Sequence, residues 1–144
     1  MTQRGKFITL EGGEGAGKTT QGERLIASLE SAGIETVLTR EPGGTFGAEA
    51  IRDLVLSGTK DRWSGMTELL LMYAARVDHV EKLIRPALNR GAWVISDRFA
   101  DSSAAYQGYA RGLGAESVAA VHNAVMGDFK PDLTILFDLS LIHI

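Results

Sequence analysis

The sequence predicts an α/β fold, a mostly parallel β-sheet with helices on both of its faces. Two observations carry the prediction. Short apolar runs of strand length alternate along the chain with longer segments of helical periodicity, the arrangement that builds a parallel sheet. The first run, Phe7-Ile8-Thr9-Leu10, passes directly into a glycine-rich turn and then a helical pattern. No internal repeat or low-complexity segment interrupts the alternation.

Taken in order, Phe7–Glu11 reads as a buried first strand. Beyond the glycine-rich turn, Leu25, Ile26 and Leu29 recur at helical spacing, and Gly33 is placed to close that helix as a left-handed cap. A second strand is expected over Ile34–Thr39, stopped by Pro42-Gly43-Gly44, which continues neither helix nor strand. Phe46–Leu56 reads as a helix with Ile51, Leu54 and Val55 inward and Arg52 on another side. Ser57–Gly65 is a polar linker. Thr67 is the expected cap of a long helix whose stretch Glu68–Arg76 is apolar almost all round, as in a central buried helix. Pro86 should bend or restart it, and Asn89-Arg90-Gly91 should end it. Ala92–Ser96 is the third strand. Asp101–Tyr109 reads as helix until Gly108 and Gly112 interrupt. Ala115–Met126 reads as a further helix with Val118, Val121 and Val125 on one stripe, and Leu133–Phe137 is the fourth strand.

The totals bound the function. A chain of 144 residues with 44% hydrophobic and 23% charged residues suits one domain. Its net charge of −3 argues against a nucleic-acid surface, so any basic residues that matter must be concentrated in a pocket. There is no cysteine, hence no disulfide and no thiolate metal site. The three histidines, His79, His122 and His143, lack metal-ligand spacing and read as structural. No apolar stretch approaches a membrane span, and a soluble cytoplasmic protein without membrane or nucleic-acid partners is expected.

The chemistry starts at Gly12-Gly13-Glu14-Gly15-Ala16-Gly17-Lys18-Thr19, which matches the phosphate-binding P-loop pattern G-x-x-x-x-G-K-[ST]. Glycines let the backbone curl so that successive N–H groups face an anion. The helix that begins near Lys18 adds its positive end, and Thr20 extends the same first turn. Lys18 would reach the β- and γ-phosphates of a nucleotide, and Thr19 would place its hydroxyl on the Mg²⁺ between them. The fold is therefore expected to be of the P-loop NTPase type.

In such a sheet the ligands lie beyond the carboxyl ends of the strands. The strands end at Glu11, Arg40-Glu41, Asp97-Arg98 and Asp138, which gathers those charges on one rim. Asp97 has the position of an acid that holds Mg²⁺ through water, and the fork of Arg98 suits a second phosphate. Met72 and Arg76 are i,i+4 and Tyr73 and Arg76 are i,i+3, so a cation shares a helical face with apolar surface. Ser103 and Gln107 are i,i+4 with Tyr106 between them, a face suited to a base edge and a sugar.

These stretches resemble the bacterial thymidylate kinases, which phosphorylate dTMP with ATP. The matching segments are EGGEGAGKTT (11–20), TREPGGT (39–45), AAR (74–76), SDRF (96–99), SSAAYQG (102–108) and GDFKPDLTILFD (127–138), in the family's order. The resemblance implies that Glu14 accepts from the 3′-hydroxyl of dTMP. It implies too that Arg98 and Arg52 hold the dTMP phosphate, with Asp97 and Glu41 ordering Mg²⁺ or water nearby. Arg76 would meet a thymine carbonyl, Ser103 and Gln107 the base, and Tyr106 would crowd the 2′ position. Met72, with Tyr73 next, stands where the family often stacks a Phe on thymine. A homodimer is also implied. Gly15 stands where some relatives carry a catalytic arginine, which points to relatives whose arginines sit in a later lid. Residues 1–138 read as the kinase core. Residues 139–144 (LSLIHI) do not resemble the family's continuation, so the lid and last strand are expected to be missing. Two other readings remain, a different P-loop small-molecule kinase and a nucleotide-binding fragment without useful turnover.

Overall fold

A computed structural model describes residues 3–138, so the expectation for residues 139–144 lies outside the described residues. Strands β1 (Phe7–Gly12), β2 (Thr36–Arg40), β3 (Trp93–Asp97) and β4 (Leu133–Phe137) form one parallel sheet in the order β2-β3-β1-β4. Between them run α1 (Lys18–Ser31), α2 (Phe46–Leu56), α3 (Gly65–His79), α4 (Arg85–Asn89), α5 (Ala100–Ser103) and α6 (Ala115–Met126). Alternate residues of each strand point to opposite faces. Ile8, Leu10 and Ile95 therefore pack with Leu25, Ile26 and Leu29 of α1. Phe7 and Val94 point the other way, into a larger core with Leu69, Tyr73, Leu88, Phe99, Val118 and Phe129. Helices cover both faces, as the alternation predicts.

Local chemistry explains where the elements differ from the sequence reading. β2 and β3 start later than expected, at Thr36 and Trp93, and end one residue later, because parallel pairing runs from Thr36 opposite Trp93 to Arg40 opposite Asp97. Ser64, not Thr67, caps α3; its Oγ accepts from the Thr67 N–H at 3.1 Å. Leu54 and Val125 are exposed; Ala48 is the buried residue of α2, and Val118, as expected, and Met126 are those of α6. Pro86 does restart its helix. It cannot donate, and its ring crowds the preceding turn, so the chain widens into a π-helical segment over Val80–Ile84 before α4. Gly108 does not interrupt. A second π-helical segment, Ala104–Ala110, carries α5 through it, and Gly108 is buried where a Cβ would lie 3.3 Å from Val118. Among the described residues no helix is long and apolar enough to cross a membrane.

One buried acid fastens the start of α5 to the central strand. Glu11 accepts from the Phe99 N–H and the Ser102 hydroxyl, both at 2.6 Å. Burial pushes its carboxyl above the usual 4.5, and the two donors only partly oppose that. A folded-state value above the unfolded one gives stability that is fully present below about pH 4.5 and lost as pH rises through the folded value. Relative to Glu11→Gln, which does not titrate, the native chain should therefore lose stability as pH rises from about 4.5. Urea denaturation of both proteins across that range checks it, and a difference that stays constant with pH contradicts it.

Candidate functional site

The turn between β1 and α1 has the backbone geometry of an anion cradle. Gly15 (φ 76°) and Gly17 (φ 95°) occupy the left-handed region, and a Cβ built on Gly13, Gly15 or Gly17 would meet nothing within 4 Å. The N-terminus of α1 has no side-chain cap, so its first N–H groups are left for a ligand. Lys18 is tethered at the rim: its Nζ donates to the Gly12 carbonyl at 2.7 Å and lies 3.5 Å from Asp97 Oδ1. Lys18, Thr19 and Asp97 line a cleft of about 460 Å³.

Asp97 Oδ1 is buried and has no hydrogen-bond partner. Among the described residues no group of three or more His, Cys, Asp or Glu could hold a metal ion alone. One orphaned carboxylate oxygen and one hydroxyl suit Mg²⁺, which keeps waters and shares its shell with phosphate oxygens. The donor set thus fits a Mg²⁺ that arrives with a nucleotide.

A second cavity, of about 280 Å³, has Glu14 and Arg98 among its lining residues. Arg52, Met72, Arg76, Tyr106 and Gln107 line it, with Glu41 and Glu68. Arg98 stands at its mouth with φ 73°, uncommon for a residue with a side chain. Its guanidinium donates to Glu14 at 2.6 Å and sits 5.5 Å over the Tyr106 ring. The hydrogen bond from Arg98 holds the Glu14 carboxyl below its ordinary value. Arg52 donates to the Pro42 carbonyl at 2.8 Å, which fixes the loop after β2 against α2.

Behind this cavity is a buried charged network. Arg76 is 1% exposed; its Nε donates to Glu41 Oε1 at 2.6 Å, and its Nη groups donate to Ser103 Oγ at 3.0 Å and the Phe99 carbonyl at 3.1 Å. Burial works against the Arg76 charge, but Glu41 and Tyr73 together outweigh it and raise the guanidinium's pKa. Glu41 Oε2 is taken by His79 Nδ1 at 2.7 Å, whose Nε2 meets Thr39 Oγ1 at 2.7 Å. Both Glu41 oxygens are committed to this network, not turned toward Asp97. His79 is structural, as its spacing suggested.

Two residues expected at the base lie behind the cavity. Ser103 is fully buried beneath Arg76. Tyr73 faces the core, where its ring meets the Arg76 guanidinium at 4.6 Å and its hydroxyl bonds His122 Nδ1 at 2.8 Å. Met72 is the neighbour that lines the cavity. Glu68 lines it too and was missed: a lone acid at the head of an apolar helix passes for a first-turn charge. Its signal would have been the need of Gln107 for a partner across the cavity.

Residues 10–142 match the family model described as thymidylate kinase. The chain is 55% identical over 135 residues to a thymidylate kinase of Rhizorhabdus wittichii, which covers 94% of this chain and 65% of that protein. It is 57% identical over 139 residues to one from Caulobacter vibrioides, 96% of this chain and 66% of that one. The crystal structure of thymidylate kinase from Ehrlichia chaffeensis superposes with a TM-score of 0.84 at 40% identity, covering 94% of this chain and 72% of the other. The chain thus spans about 65% of the length of the curated relatives it matches.

The buried network yields a stability prediction. Glu41→Ala would leave the Arg76 charge without its ionic partner in the core, at a cost of about 3–5 kcal/mol. Chemical denaturation measures it, and a loss of under about 1 kcal/mol, the range of exposed pairs, would contradict it.

Proposed function

The chain belongs to the thymidylate kinase family, and from that premise we propose that it transfers the γ-phosphate of ATP to dTMP, giving ADP and dTDP. The observation that carries this reading is a pair of cavities, one lined by Lys18, Thr19 and Asp97 and one lined by Glu14, Arg52, Arg76, Arg98 and Gln107. A dTMP phosphate in the second cavity would lie next to the end of a triphosphate on the first, the proximity that phosphoryl transfer requires.

In this reading a dTMP phosphate oxygen attacks the γ-phosphorus while the bond to the β–γ bridging oxygen breaks. The P-loop amides from Gly12 to Thr20 cradle the triphosphate, and Lys18 follows the charge of the moving group. Thr19 and Asp97 would hold Mg²⁺, which neutralises phosphate charge when bound. Arg98 and Arg52 grip the dTMP phosphate, and Glu14 accepts from the 3′-hydroxyl. Met72 packs against the thymine, Gln107 and the remaining Arg76 donors meet its edge, and Tyr106 stands beside the sugar where a 2′-hydroxyl would be. The exposed apolar side chains Phe46, Leu56 and Leu70 on α2 and α3 support a second copy of the chain as partner. The location that goes with this reading is the cytoplasm, as a soluble enzyme.

The reaction is tested by ADP release from ATP and Mg²⁺ in the presence of dTMP, dCMP, UMP or AMP in turn. Release stimulated by dTMP above the others is expected, and a preference for another acceptor would overturn the reading. At the level of binding, Arg98→Ala should weaken dTMP by about 1.5–3 kcal/mol, roughly tenfold to a hundredfold, because a charge-assisted phosphate contact is lost. Calorimetry giving equal affinities for dTMP and thymidine in the native chain would remove Arg98 from that role.

A further inference from the structure

We propose that Glu68 sets the base preference of the second cavity by holding the Gln107 amide in one of its two orientations. The inference rests on the reading of that cavity as the seat of a pyrimidine nucleoside monophosphate. Gln107 is 3% exposed and lines the cavity. Its Nε2 donates to Glu68 Oε1 at 2.7 Å, and its Oε1 is buried with no hydrogen-bond partner. The second oxygen of Glu68 accepts from Arg111 at 2.7 Å, and Arg111 is anchored in turn on the Trp63 carbonyl.

The chemistry of the pair leaves one arrangement. A carboxylate paired with a guanidinium only accepts, so the end of the amide that touches Glu68 must be the NH₂. Turning the amide over would set two acceptors 2.7 Å apart. The group left for a ligand is therefore the carbonyl oxygen. A buried acceptor without a partner is unfavourable, and a ligand that supplies an N–H relieves it. Thymine and uracil carry a hydrogen at N3 and can supply it. Cytosine presents a bare acceptor at N3 and would meet the Gln107 oxygen with repulsion. The reversed amide would invert that preference. Glu68 touches neither phosphate nor reacting atoms in this scheme; it is a positioning residue that acts through Gln107.

Glu68→Gln tests it, because a glutamine at 68 both donates and accepts and so releases the orientation of Gln107. Dissociation constants for dTMP and dCMP would be measured by calorimetry on the full chain for native, E68Q, Q107L and the double variant. The native chain is expected to prefer dTMP. E68Q should lose about tenfold or more of that preference, through weaker dTMP and tighter dCMP binding together. In the Q107L background E68Q should leave the ratio unmoved. A merely structural role would weaken both nucleotides alike, and E68Q retaining the native ratio would overturn the proposal. A native chain that binds neither nucleotide, or both equally, would instead defeat the underlying reading of the cavity, and the inference with it. Should E68Q fail to fold because Arg111 is stranded, E68Q/R111Q removes that charge and carries the same expectation.

Discussion

The buried ion pair between Glu41 and Arg76 is the constraint on which the rest of the site depends. It joins the end of β2 to the last turn of α3, and through Ser103 and the Phe99 carbonyl it reaches α5. Those three elements form the walls of the second cavity. Two charges taken out of water are stabilising only when their geometry is good and their remaining hydrogen-bonding groups are satisfied. Here both Glu41 oxygens have partners within 2.7 Å, and the guanidinium is enclosed by the Tyr73 and Phe99 rings at 4.6 and 5.1 Å. A domain is held by only about 5–15 kcal/mol. Stranding one member of the pair, at about 3–5 kcal/mol, would therefore use up a large share of that margin.

The charges nearer solvent are held more loosely. Arg98 reaches across to Glu14, whose side chain is 89% exposed, and screening by solvent makes such a pair weak. An arriving phosphate can take over the Arg98 fork at little cost. Lys18 is buried, but the partners of its Nζ are a backbone carbonyl at 2.7 Å and a carboxylate oxygen no nearer than 3.5 Å. The molecule thus separates a rigid inner network, which sets shape, from outer cations that remain available to anions. Glu11 belongs to the rigid set, pinning the first turn of α5 to the strand that leads into the P-loop.

Much of this was legible in the sequence, because the signals were local. The alternation of Phe7–Leu10 with the pattern at Leu25, Ile26 and Leu29 specifies a strand and helix whatever surrounds them. The P-loop glycines are a backbone requirement written directly in residue type. Helix faces were harder. Leu54 and Val125 carry apolar side chains at inward spacing, yet no neighbouring element covers them among the described residues. Tyr73 and Met72 are adjacent, and only the rotation of α3 against α6 decides that Tyr73 turns to His122 while Met72 lines the cavity. Ser103 and Gln107 share a face in an ideal α-helix, but the π-helical segment from Ala104 changes the winding between them. The partnership of Glu68 with Gln107 spans 39 positions, and no local pattern announces it.

The central claim is that two ligands occupy two sites, one at the glycine-rich turn and one in the cavity lined by Arg52, Arg98 and Gln107. Its most direct test is a backbone and side-chain NMR map of the chain titrated separately with ADP and with dTMP. The account predicts that ADP moves resonances from Gly13 to Thr20, that dTMP moves Arg52, Arg98 and Gln107, and that each binds when the other is present. Both nucleotides competing for the glycine-rich turn, with Gln107 and Arg52 unmoved, would contradict it.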